Sequence, residues 1–285
     1  MYARLLLLTM TLLAACSPVG VLNALAPRDG VTRNADLSYA DGPRHGIDVY
    51  APRTAPDAAP VVVFFYGGGW EDGDRDMYRF VGATLAANGV VAMIPDYRVY
   101  PEARFPDFIQ DGARAVAWAR QHAAVYGGDP NRLFLMGHSA GAQIATLLSL
   151  DSRWLDAVGL NPERDIAGTI GLAGPYDFLP LESATLKAIF GPPDAWHLSQ
   201  PINYVTFGAP PMLLATAERD NTVSPGNTYR LAARLRDSGD VVVERVYPYV
   251  GHRTLMGAFA PLFTFLAPVR TDVLRFIADR DGSRG

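Results

Sequence analysis

The chain has 285 residues, 49% hydrophobic and 19% charged, which is the balance of a folded globular protein and not of a disordered one. That length suits one large α/β domain or two small ones. The net charge of −4 gives no sign of the basic surface that nucleic-acid binding uses, so no nucleic-acid partner is expected.

Met1 to Arg4 is short and positive, and Leu5 to Leu13 is an apolar run too short to span a bilayer. Leu13-Ala-Ala-Cys16-Ser17 follows. This stretch resembles the lipobox of a bacterial lipoprotein signal. The resemblance implies that residues 1–15 are removed and that Cys16 is acylated. The protein would then be exported and held on a membrane surface of the cell envelope by the lipid on Cys16. An ordinary secretory signal with Cys16 incidental is the alternative. Cys16 is the only cysteine, so no disulfide forms within one chain. Residues 16–35 read as anchor and linker, and 36–285 as the folded domain.

Strand and helix signals then alternate. His45 to Tyr50 ends at Pro52 and reads as an edge strand. Val61 to Tyr66 and Val90 to Ile94 are continuous apolar runs, as in strands buried on both faces. Helices are expected at 78–88 and 107–126. Leu133 to Met136 is a strand, and Ala140 to Leu150 a helix. Further strands are expected at 166–173, 212–216 and 241–246, with helices at 224–238 and 271–279. This order predicts an α/β fold: a mostly parallel sheet with helices on both faces. Residues 176–208, rich in Pro and Gly, read as a small insertion above the sheet.

Gly137-His-Ser-Ala-Gly141 sits between a strand and a helix. That is the setting of a nucleophile elbow, in which the turn lifts a serine hydroxyl clear of the sheet. Ser139 is the candidate nucleophile and needs a base. The chain has five histidines. His45 lies far upstream, His122 late in a helix and His197 in the insertion. His138 adjoins the serine, and its side chain is expected to point away from the turn. In α/β-hydrolases the order is Ser, acid, His, and only His252, after the last strand, suits it. The acid should follow the strand at 212–216, where Glu218 and Asp220 both qualify by type. Tyr66-Gly67-Gly68-Gly69-Trp70 follows the first buried strand. The N–H groups of Gly68 and Gly69, with that of Ala140, would form an oxyanion hole.

These stretches resemble the α/β-hydrolases of the His-Gly-Gly-Gly type, the hormone-sensitive-lipase-like and acetyl-esterase group. The likeness runs from about Ile47 to the C-terminus. It is supported by Asp96-Tyr97-Arg98, Tyr100 to Pro106, Tyr126 to Pro130, Gly174-Pro-Tyr-Asp177 and Gly251-His252. Gly137 to Ala142 is also similar to feruloyl-type esterases and kynurenine formamidases. The resemblance implies the α/β-hydrolase fold and a Ser139–His252–Asp220 triad, because Glu218-x-Asp220-x-x-Val223 looks like the acid loop of that fold. It implies hydrolysis of a small-molecule carboxylic ester. Short acyl chains are expected because the insertion at 176–208 is too small for a large lipase lid, and no metal or organic cofactor is expected because the triad needs none and no metal-ligand spacing occurs. The family histidine before the glycines is Tyr66 here, expected to hold the loop by packing or through its hydroxyl. Trp70, Phe178, Phe190 and Trp196 are expected to line the substrate pocket, unless they are core. An amidase, formamidase or peptidase on the same scaffold is the second reading, and a non-catalytic surface lipoprotein the third.

Overall fold

The computed structural model describes residues 17–54 and 58–280. Cys16, the expected signal segment and its cleavage site lie outside them. Eight strands form one sheet: β1 (Val31–Ser38), β2 (Gly46–Pro52), β3 (Ala59–Phe65), β4 (Val91–Pro95), β5 (Gly128–His138), β6 (Gly168–Leu172), β7 (Met212–Ala217) and β8 (Val242–Tyr247). Their order is β1-β2-β4-β3-β5-β6-β7-β8. β3 to β8 run parallel, while β1 and β2 are antiparallel to their neighbours. Every residue of β3, β4, β6 and β7 is buried, which explains their unbroken apolar runs.

The helices are α1 (Pro18–Ala24), α2 (Arg79–Ala87), α3 (Asp107–His122), α4 (Ala140–Leu150), α5 (Ala184–Phe190), α6 (Gly226–Ser238), α7 (His252–Gly257) and α8 (Val269–Asp279), with several shorter turns between them. The parallel strands and main helices fall where the sequence places them, within a few residues.

Two expectations are corrected on the antiparallel flank. β2 is not an edge strand: it lies between β1 and β4, and Pro52 sits at its end opposite Val31. The stretch read as a plain tether contains α1 and the start of β1. Ser17 caps α1 by accepting the Gly20 N–H at 3.0 Å, and Pro18 opens it. Asn23 docks the helix, donating to the Asp76 carbonyl at 2.8 Å and accepting from the Phe80 N–H at 3.0 Å. Beside it the fully buried Asp48 is balanced by Arg33 at 2.6 Å and Arg75 at 2.9 Å. Arg75 also pairs with Asp36 and Asp96, so ion pairs tie β1 to the rest of the sheet.

β3 and β5 are central neighbours, with Phe65 paired to Gly137. The loop after β3 and the turn after β5 therefore leave the sheet side by side, at the end where such folds bind ligands.

Candidate active site

The β5–α4 turn places Ser139 at φ 55° and ψ −124°, a strained conformation for a residue with a side chain. Close backbone approach explains the flanking glycines. A Cβ on Gly137 would lie 2.1 Å from the Gly141 carbonyl oxygen, and one on Gly141 would lie 2.1 Å from that of Phe65. The Ser139 N–H donates to the Leu172 carbonyl at 2.9 Å, fixing the turn to the end of β6.

The Ser139 hydroxyl stands 2.9 Å from His252 Nε2. His252 opens α7, and its Nδ1 stands 2.7 Å from Asp220 Oδ2. Asp220 is buried, and its other oxygen accepts the N–H groups of Thr222 and Val223, each at 2.8 Å. Burial alone would raise the pKa of the Asp220 carboxyl. The hydrogen bond from His252 and those two N–H groups outweigh burial and hold it below the usual range. Asp220 is therefore ionised at neutral pH and fixes the Nδ1–H tautomer of His252. That leaves Nε2 to accept the serine proton. Glu218, the alternative acid, is exposed.

The glycine loop presses against the same turn. A Cβ on Gly67 would lie 3.0 Å from Ser139 Cβ. The Gly68 carbonyl accepts the N–H groups of Glu71 at 3.1 Å and Asp72 at 2.9 Å, which curls the loop. Gly68 has φ 155°, and a Cβ there would meet the Asp72 carbonyl oxygen at 1.9 Å. Among the described residues the N–H groups of Gly68 and Gly69 find no acceptor. Ala140 is the first residue of α4, where a backbone N–H has no intrahelical partner. Tyr66 supports this loop from below. It is fully buried and stacks on Tyr97 at 4.6 Å, while Tyr97 donates to the Tyr66 carbonyl at 2.7 Å. Its hydroxyl accepts from Arg44 at 2.9 Å, so both expected means of support are used.

A family model named BD-FAE matches residues 47–235, two thirds of the chain. The chain belongs to the BD-FAE family. Esterase LipC of Mycobacterium tuberculosis is 32% identical over 234 residues, covering 76% of this chain and 58% of that protein. A probable isoprenylcysteine alpha-carbonyl methylesterase, ICME, of Oryza sativa subsp. japonica is 34% identical over 142 residues, covering 49% of this chain and 34% of its own length. This chain thus spans little more than half of the first and a third of the second. Among solved structures, esterase B from Lactobacillus rhamnosis inhibited by a tributyrin phosphonate superposes with TM-score 0.80 at 18% identity, covering 98% of this chain and 96% of that one. A truncated carbohydrate esterase from gut microbiota superposes with TM-score 0.78 at 20% identity, covering 90% and 98%. The fold is that of the α/β-hydrolases.

Within this BD-FAE site, one sequence expectation is overturned. His138 does not point away: its ring lies 4.8 Å from that of His252. The other three histidines are elsewhere. His45 is buried beside β2, His122 stacks on Trp118 at 4.2 Å, and His197 is exposed. Trp70 is only 4% exposed and donates its indole N–H to Gln143 at 3.2 Å. It packs with Phe178 at 5.7 Å and edge-on to Phe190 at 4.9 Å. Trp196 is half-buried and donates to the Gly191 carbonyl at 2.7 Å. Sequence reading missed Tyr78, whose hydroxyl lies 3.2 Å from His138 Nδ1. A lone tyrosine at the start of a helix carries no local signal of such a role.

Proposed function

We propose that this protein is a serine carboxylesterase acting on short-chain carboxylic esters. The observation that carries the reading is the unbroken series Ser139–His252–Asp220, at 2.9 and 2.7 Å, on a strained elbow. His252 Nε2 takes the Ser139 proton as the hydroxyl oxygen attacks the ester carbonyl carbon. The N–H groups of Gly68, Gly69 and Ala140 receive the oxyanion. Collapse breaks the bond to the alcohol, which leaves with the proton from His252. Water, deprotonated by His252, then attacks the acyl-enzyme and releases the acid and free Ser139. Asp220 holds the imidazole and offsets its positive charge. The names of the relatives support ester chemistry. The packed rings of Trp70, Phe178 and Phe190, next to the glycine loop that Trp70 closes, support a small acyl group.

The test is hydrolysis of p-nitrophenyl acetate, butyrate and octanoate by residues 17–285. The expected result is a rate falling with chain length and abolished in Ser139→Ala. Equal rates for wild type and Ser139→Ala would remove Ser139 from the mechanism. A wild type labelled by a fluorophosphonate but silent on all three esters would favour the amidase reading.

We also propose export and anchoring through Cys16. The lipobox stretch supports this. Membrane fractionation of cells expressing the wild type and Cys16→Ala checks it. Only the wild type should stay with the membrane.

A further inference from the structure

Three groups outside the proposed triad join the glycine loop to the segment that ends at His252. The Gly67 N–H points at the Tyr78 hydroxyl oxygen at 3.4 Å. The Tyr78 hydroxyl lies 3.2 Å from His138 Nδ1, and His138 Nε2 lies 3.3 Å from the His252 carbonyl oxygen. One proton arrangement satisfies all three contacts. Tyr78 accepts from Gly67 and donates to Nδ1, and Nε2–H donates to the His252 carbonyl. Gly67 begins the oxyanion loop, His138 belongs to the elbow, and His252 belongs to the β8–α7 loop. Their sequence separations, 60 residues from Tyr78 to His138 and 114 from His138 to His252, make this a tertiary tie.

We infer that Tyr78 and His138 are positioning residues for the proposed esterase reaction, holding the oxyanion loop and the His252 loop in register with the elbow. The inference rests on the esterase reading above. Neither side chain lies between Ser139 and His252, so neither is a proton carrier. His138 is buried among few charges. Asp220 and His252 face it from the two catalytic loops, and Arg253 acts on Tyr78. Burial, and then His252, push the His138 pKa down to about 3. His138 therefore stays neutral when His252 takes the serine proton, and adds no repulsion to the imidazolium. A Cβ on Gly67 would lie 3.0 Å from His138 Nδ1, so ring and loop are already in contact. Gly67 and His138 are thus neighbours by shape, and Tyr78 links them by hydrogen bonds.

The experiment compares Tyr78→Phe, His138→Phe, His138→Gln and the double variant Tyr78→Phe/His138→Phe on p-nitrophenyl acetate, per folded molecule judged by near-UV circular dichroism. Tyr78→Phe keeps the ring and removes one hydroxyl, so it tests the tie even if a His138 variant fails to fold. A lost positioning contact is expected to lower kcat about tenfold with KM changed by less than about twofold. The double variant should be no worse than His138→Phe, because the two residues act in series. His138→Gln, which can still donate to the His252 carbonyl, should recover most of the rate. Unchanged kcat in Tyr78→Phe and His138→Phe, in an active wild type, would overturn the inference and leave the esterase reading standing. Independent, multiplying losses would overturn it too. A wild type that neither hydrolyses esters nor takes up a fluorophosphonate overturns the esterase reading, and this inference with it.

Discussion

Two buried aspartates in this molecule each face a histidine, and the pairs differ in what surrounds them. Asp220 faces His252 Nδ1 at 2.7 Å and otherwise accepts two backbone N–H groups. Asp111, fully buried, lies 3.2 Å from His45 Nε2 without the alignment of a hydrogen bond. Arg98 binds Asp111 through two side-chain contacts of 2.8 Å, and Arg114 reaches it at 3.3 Å. The other His45 nitrogen is taken by the Asp41 carbonyl at 2.6 Å. Arginines already neutralise Asp111, and the His45 nitrogen that makes no hydrogen bond faces that carboxylate and no hydroxyl. In the proposed reaction Asp220 keeps its negative charge for a cation that appears only as Ser139 attacks. On the proposed mechanism, an Asp–His contact serves catalysis through the charge left uncompensated and the hydroxyl that the second nitrogen faces, more than through proximity.

Exchanging the carboxylates is expected to separate the two most sharply. Asp220→Asn should lower kcat by about 10³- to 10⁴-fold, because the amide favours the wrong tautomer of His252. Asp111→Asn should leave kcat per folded molecule intact. It should cost about 2–3 kcal/mol in urea titration, since Arg98 and Arg114 lose their counter-ion but remain partly exposed. Gly68→Ala comes next. Its Cβ has no room at the Asp72 carbonyl, so the loop must shift, and kcat on p-nitrophenyl acetate should fall about 10²-fold. A further effect is on acid stability. Unfolded, His138 takes up a proton near pH 6.5, but folded it does so only near pH 3. The unfolded chain binds more protons in that window, so stability is lost as pH falls from about 6.5 towards 3. Asp220, held low in the fold, adds a loss beginning only as pH drops into the carboxylate range. Urea midpoints from pH 7 to 4 should therefore fall less steeply for His138→Phe than for wild type.

The catalytic end was more legible in the sequence than the flank. A nucleophile elbow needs glycines at fixed offsets, so Gly137-His-Ser-Ala-Gly141 announces its own backbone. The buried runs of β3 and β4 likewise admit one interpretation. β1 does not. Thr32, Arg33, Ala35, Asp36 and Ser38 are exposed, and a register shift between Asn34 and Leu37 breaks any alternation. Ion pairs to Asp48 and Asp76 hold that strand, and pairing over distance leaves no periodicity to read. Pro52 misled for a related reason, since a proline at a strand's last residue disturbs no ladder inside it. His138 and Tyr78 were out of reach because their partners lie far along the chain.

The pairing of Phe65 with Gly137 carries a last consequence. The glycine loop and Ser139 leave neighbouring strands just past one rung, so the ladder between β3 and β5 gauges the gap between the proposed nucleophile and its proposed oxyanion donors. A ladder cannot be adjusted smoothly. Slipping it by one rung moves one strand end about 3.3 Å and turns every side chain to the opposite face. Spacing at the reacting centre is thus quantised. The loops make fine corrections within one step, and the strands choose the step.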